Sequence, residues 1–132
     1  MKNIISRTLL LLLMLLFMTA TASANSHADL LPVVPVPGKV TMVELGADSC
    51  IPCRLMKPII AEVRTDYEDR AAILFVDVWQ HPEVGRKFTI GAIPTQIFFD
   101  HTGKEIFRHT GVSPKKNIVR ILDSLLEKQG PR

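Results

Sequence analysis

Long runs of like charge are missing from this 132-residue chain, which argues against nucleic acid as a partner. Cysteine is scarce. Two cysteines cannot build the disulfide scaffold of a small secreted domain. They suffice for one structural bridge, half a metal site or a redox pair. No internal repeat is visible, and the length suits one domain better than two. Disorder is excluded as well, because 47% of the residues are hydrophobic and 22% charged, a globular composition.

An apolar segment of membrane-spanning length is also lacking. Residues 9–18 form an unbroken apolar run of ten, preceded by Lys2 and Arg7 and followed by the small and polar residues 19–24. Ala22-Ser23-Ala24 has the small-x-small form read by a signal peptidase. Residues 1–24 are therefore expected to be a secretory signal peptide cleaved after Ala24. The competing reading is a retained membrane anchor; a spanning helix needs about 20 apolar residues, and widening the window to residues 4–20 brings in Ser6, Arg7 and Thr8. No cysteine stands at the cleavage point, so lipidation there is excluded. Cleavage removes two of the basic residues behind the formal +3 charge, which leaves the net charge silent about partners. Export places both cysteines where disulfides persist, and a periplasmic location is expected.

Residues 25–38 alternate Pro32, Pro35 and Pro37 with Val33, Val34 and Val36, which opposes both helix and central strand. A linker that becomes an edge segment is expected there, with the domain occupying residues 39–132. Residues 40–45 suit a buried strand. Residues 48–67 carry Met56, Ile59, Ile60, Val63 and Tyr67 on one helical face, with a kink at Pro58, which cannot donate to the carbonyl of Arg54. Residues 71–78 read as a second buried strand, parallel to the first. A short helix at 82–88, strands at 95–100 and 105–110 around a turn, and a last helix complete the chain. That helix starts at Pro114, is capped by Ser113 and presents Ile118, Ile121, Leu122 and Leu125. The expected class is α/β, a central mixed sheet with helices on both faces.

Chemistry concentrates at Cys50-Ile51-Pro52-Cys53. Two cysteines three apart at a helix start lie about one turn apart, within bridging reach. Free N–H groups at the helix N-terminus favour a thiolate on Cys50. Cys53, a turn deeper, is expected to be more buried. This makes Cys50 the attacking nucleophile and Cys53 the resolving thiol. Pro52 costs little there, because its missing N–H has no partner in a first turn. Zinc would need a second cysteine pair. His81, His101 and His109 lack metal-ligand spacing and read as surface residues. Haem attachment would need histidine where Arg54 stands. A purely structural bridge is the lesser reading, since so short a loop constrains little of the unfolded chain and the strand-to-helix junction is where open α/β sheets place their sites.

Glu44 is an acid within an apolar strand, on the face of Val40 and Met42. Burial would raise its pKa, suiting it to exchange protons with Cys53. The competing reading is an acid at a strand end reaching solvent or a lysine. Pro94, in Ile93-Pro94-Thr95, begins a strand, and proline statistics alone favour a trans bond. Trp79 reads as packing at a strand end.

Together Cys50-Ile51-Pro52-Cys53, Pro58, Ile93-Pro94-Thr95, Gly111 and the acid six residues before Cys50 resemble the thioredoxin family over residues 40–129. The resemblance implies a thioredoxin-like fold and a redox-active Cys50–Cys53 disulfide. It also implies a cis bond before Pro94, which faces the disulfide and removes a backbone donor beside it. Ile51, Pro52, Ile93 and Thr95 would line the substrate-docking surface. Several positions depart from the family pattern: Ser49 and Gly46 stand in place of tryptophans, Ile51 replaces glycine, and Phe75 sits where a lysine often accompanies the buried acid. Without that lysine Glu44 should protonate more easily. The pattern looks like exported bacterial thioredoxin-like proteins serving few partners. No cofactor or metal is expected. The expected partners are protein disulfides and a membrane thiol electron donor, met by a monomer. Ile51-Pro52 carries no histidine or charge, which points to a disulfide reductase. The alternatives are a disulfide oxidant or isomerase using the same residues, and a copper-binding module holding soft Cu(I) on the thiolates.

Overall fold

The computed structural model describes residues 31–130. The expected signal peptide, residues 1–24, lies outside the described residues. Four strands form one mixed sheet: β1 (Thr41–Gly46), β2 (Ala72–Asp77), β3 (Thr95–Phe99) and β4 (Glu105–Thr110). Their order across the sheet is β2-β1-β3-β4. β1 pairs parallel with β2 and antiparallel with β3, and β3 pairs antiparallel with β4. Among the described residues three helices accompany them: α1 (Ile51–Asp66), α2 (Pro82–Lys87) and α3 (Lys115–Gln129). Among the described residues no helix is long and apolar enough to cross a membrane.

Every residue of β1 is buried. A strand flanked on both edges and covered on both faces has no solvent side, so its sequence runs apolar without alternation. Val40 and Met42 face α1 and α3, where they meet Met56, Ile60, Val63, Tyr67, Ile118 and Leu122. Val43 and Leu45 face the opposite layer with Val76, Ile97 and Phe99, which Val84 and Phe88 help to cover. Glu44, two residues after Met42, therefore points toward the α1 side of the sheet.

α1 runs unbroken through Pro58. Arg54 and Pro58 share an exposed side of the helix, so the carbonyl that loses its donor stands toward water. The helix starts at Ile51, three residues later than its apolar spacing suggests, because Cys50 has extended backbone and acts as the N-cap. α3 also starts differently from expectation. Pro114 is its N-cap and no side chain caps it, while Ser113 is buried and its N–H donates to Met56 Sδ at 3.3 Å. Lys115, unfavourable in principle at a helix start, is anchored across the layer by Glu62 at 3.0 Å and Asp66 at 2.8 Å. At the far end of α1, Tyr67 donates its hydroxyl to Asp123 at 2.7 Å.

The segment expected as a linker packs onto the domain where the structure describes it. Val34 is 7% exposed and joins the second core layer. Lys87 Nζ donates to the Val34 carbonyl at 3.3 Å, and the Val36 N–H donates to Thr41 Oγ1 at 3.1 Å. The Val34–Pro35 bond is cis. Alternating prolines hide this in the sequence, because a proline-rich stretch reads as linker whether or not one valine between them finds a pocket. Val34→Ala is predicted to lower the unfolding free energy by about 1–2 kcal/mol, measured by urea titration. An unchanged midpoint would mean that the segment does not contribute to the core.

Candidate active site

Cys50 and Cys53 form a disulfide with Cα atoms 5.2 Å apart. It closes over the first turn of α1, and the Cys53 N–H donates to Cys50 Sγ at 3.3 Å. Cys50 is 8% exposed and Cys53 2%, the order expected of an outer and an inner sulfur. Once reduced, the outer sulfur keeps that N–H and the positive end of a 16-residue helix, both of which favour a thiolate. Gly46 lets the inner sulfur approach the sheet: a Cβ there would stand 3.3 Å from Cys53 Sγ and 3.2 Å from the Phe75 ring.

Glu44 is 1% exposed. It lines a cleft of about 300 Å³ together with Cys53, Asp48, Lys57, Arg64 and Phe75. Gln96 Nε2 donates to Glu44 Oε2 at 2.8 Å, while Glu44 Oε1 is buried without a hydrogen-bond partner. Burial pushes the Glu44 pKa from its ordinary 4.5 up to about 7, and the Gln96 bond pulls the other way. The alternative of an acid reaching solvent is thereby excluded. Phe75 pairs with Glu44 in the β1–β2 register. Two cations nevertheless share the cleft from α1. Lys57 is held by Asp48 at 2.8 Å, and Arg64 Nε donates to the Ile73 carbonyl at 3.1 Å.

The Ile93–Pro94 bond is cis, as the resemblance implies and against proline statistics alone. Pro94 is buried, and Ile93 packs against Ala47, Cys50 and Cys53. Thr95 turns its hydroxyl inward, donating to the Ala92 carbonyl at 2.8 Å. Ile51 is 68% exposed, Pro52 is exposed beside it, and Val112, after Gly111, is also exposed. Ile51 and Pro52 thus expose apolar surface directly after the outer sulfur in the chain. Trp79 departs from expectation. It is 61% exposed, because β2 ends at Asp77 and the turn beyond no longer alternates toward the core.

Two residues of the site went unnoticed in the sequence. Gln96 carries the same signal as Glu44, a polar side chain inside an apolar strand, and the β1–β3 register sets the two opposite one another. Asp77 is the other. Its carboxylate accepts the N–H groups of Asp48 at 2.9 Å, Trp79 at 2.9 Å and Gln80 at 3.1 Å. It thereby fastens the loop before Cys50 to the loop after β2. Burial raises its pKa, but these backbone donors outweigh that and hold it below the usual carboxylate range. Among the described residues no three His, Cys, Asp or Glu side chains gather to hold a metal.

A dithiol bridged over a helix start, backed by a buried acid, is a site for thiol–disulfide exchange. The comparisons with known proteins agree. The Thioredoxin family profile matches residues 23–124. Thioredoxins of Staphylococcus aureus strains Mu50 and MW2 are 36% identical over 87 residues, covering 66% of this chain and 83% of theirs. The chain belongs to the thioredoxin family, and it is a thiol–disulfide oxidoreductase with Cys50 and Cys53 as its redox pair.

The perturbed acid has a consequence for stability. Unfolded, a glutamate loses its proton near 4.5, whereas folded Glu44 keeps it to about pH 7. Between these values the native state holds the extra proton, so Glu44 lowers stability as pH rises from 4.5 to 7. Glu44→Gln should remove that slope. Relative to wild type the variant is predicted to gain up to about 3 kcal/mol on going from pH 4.5 to pH 8, measured by urea unfolding of the oxidised proteins. Parallel pH profiles would contradict this account of Glu44.

Proposed function

We propose that the protein is an exported, periplasmic disulfide reductase that draws electrons from a membrane thiol donor and delivers them to protein disulfides. Export is supported by the sequence of residues 1–24. The observation that carries the chemistry is the shared cleft of Cys53 and Glu44, with the acid poised at about 7. The Cys50 thiolate attacks one sulfur of a substrate disulfide, and the other leaves as a thiolate. Cys53 gives its proton to the Glu44 carboxylate and attacks Cys50. The Cys50–Cys53 bond forms, the mixed disulfide breaks, and the second substrate sulfur leaves and is protonated. Two electrons pass from the protein dithiol to the substrate.

The reductase direction is supported by what stands beside Cys50. An oxidant needs its reduced form stabilised, as a strongly favoured thiolate does. Ile51 and Pro52, the side chains between the sulfurs, supply neither a cation nor a hydrogen-bond donor. With less stabilisation of the thiolate, the disulfide form is easier to reach and the dithiol a better electron donor.

Cys53→Ser is predicted to trap substrate proteins on Cys50 as mixed disulfides, and Cys50→Ser to trap none. Pre-reduced wild type, mixed with a disulfide-bonded substrate protein, should lose its two thiols as the substrate gains two. Retention of the protein dithiol, with the substrate still oxidised at equilibrium, would overturn the reductase reading in favour of a disulfide donor.

A further inference from the structure

We propose that Gln96 is a positioning residue for disulfide exchange: its amide holds Glu44 Oε2, leaves Oε1 as the atom that takes the Cys53 proton, and ties that acid to the turn carrying Pro94. The inference rests on the exchange reading above and assigns a role to a residue outside the cysteine motif.

The geometry carries it. Gln96 Nε2 donates twice, to Glu44 Oε2 at 2.8 Å and to the Gly111 carbonyl at 3.2 Å. The Gly111 carbonyl is an acceptor in every state, as is the ionised Glu44 carboxylate, so a flipped amide would set oxygen against two oxygens in the ionised form. The Gly111 N–H in turn donates to the Pro94 carbonyl at 2.8 Å. Gly111, bonded through its carbonyl to Gln96 and through its N–H to Pro94, thus links the buried carboxylate to Pro94, whose neighbour Ile93 packs on the cysteines. Gln96 is fully buried, so no water competes for these bonds from its own surface. Oε2 already accepts from Gln96, whereas Oε1 has no partner and belongs to a side chain lining the cleft that Cys53 also lines.

Other groups face the acid. α1 contributes Cys53, Lys57 and Arg64, the β1–α1 loop contributes Asp48, and β2 presents the apolar Phe75. β4 sets His109 opposite Gln96 in register. Lys57 and Arg64 have partners of their own in Asp48 and the Ile73 carbonyl. Gln96 is the donor that reaches the carboxylate.

A hydrogen bond to a charged acceptor is worth enough to move a protonation equilibrium about tenfold. Gln96→Met, which keeps the length and loses both donors, should raise the Glu44 midpoint by about one pH unit. The rate at which Cys53 clears a mixed disulfide from Cys50 should follow, falling about fivefold at pH 7. An unmoved midpoint in a folded variant would overturn the proposal. A second test does not need Gln96→Met to fold. In the oxidised protein, the Glu44 carboxyl carbon, the Gln96 side-chain nitrogen and the Gly111 carbonyl carbon should titrate by NMR with one shared midpoint near pH 7. The Gln96 and Gly111 titrations should vanish in Glu44→Gln. A Glu44 that titrates alone, or a Gln96 titration that survives Glu44→Gln and so reports His109, overturns the inference. Wild type that fails to exchange disulfides would sink the functional reading instead, and the NMR titration would still decide the role of Gln96.

Discussion

A carboxylate in the middle of a fully covered strand is the constraint from which the site follows. Desolvation disfavours its charge, and in an apolar interior the group would stay neutral at any ordinary pH. One amide donor from the neighbouring strand offsets part of that cost and brings Glu44 to about 7. Either protonation state is then accessible near neutrality, which is what a proton carrier for a thiol requires. The cost is borne by the native state, and the two apolar layers flanking β1 supply the stability that tolerates it.

The rest of the site is arranged around the end of the same strand. Gly46 ends β1 without a side chain and lets Cys53 approach. Asp77, at the matching end of β2, gathers three backbone donors and holds the loop that delivers Cys50. Gly111 and Pro94 close the opposite side through a single backbone hydrogen bond. The ends of all four strands thus contribute to the site, and Ala47 and Ile93 pack on the disulfide itself. Ile51, next to the outer sulfur in the chain, remains exposed.

Much of this was legible in the sequence because the physics is local. The spacing of Met56, Ile60 and Val63 names the buried face of α1, and a cysteine pair at a helix start gives both reach and reactivity. The acid at position 44 stands out against its apolar neighbours. What stayed hidden depends on register and on distant chain. Gln96 acquires meaning when β1 and β3 pair and set it opposite Glu44. The proton acceptors for the Asp48, Trp79 and Gln80 backbones come from one carboxylate at a strand end, which sequence spacing does not reveal. Val34 finds a pocket between β2 and α2 residues that lie far along the chain. Ser113 reads as a helix cap by type, yet tertiary packing draws its backbone to Met56 instead.

The account turns on the balance between disulfide and dithiol at the start of α1. The most direct measurement is the reduction potential of the Cys50–Cys53 pair, obtained by equilibrating the protein against a defined thiol buffer. An apolar dipeptide between the sulfurs and a proton acceptor at the inner one predict a value near the thioredoxin end of the scale, about −270 mV. A value near the oxidase end, about −120 mV, would contradict the account and make the protein a donor of disulfides.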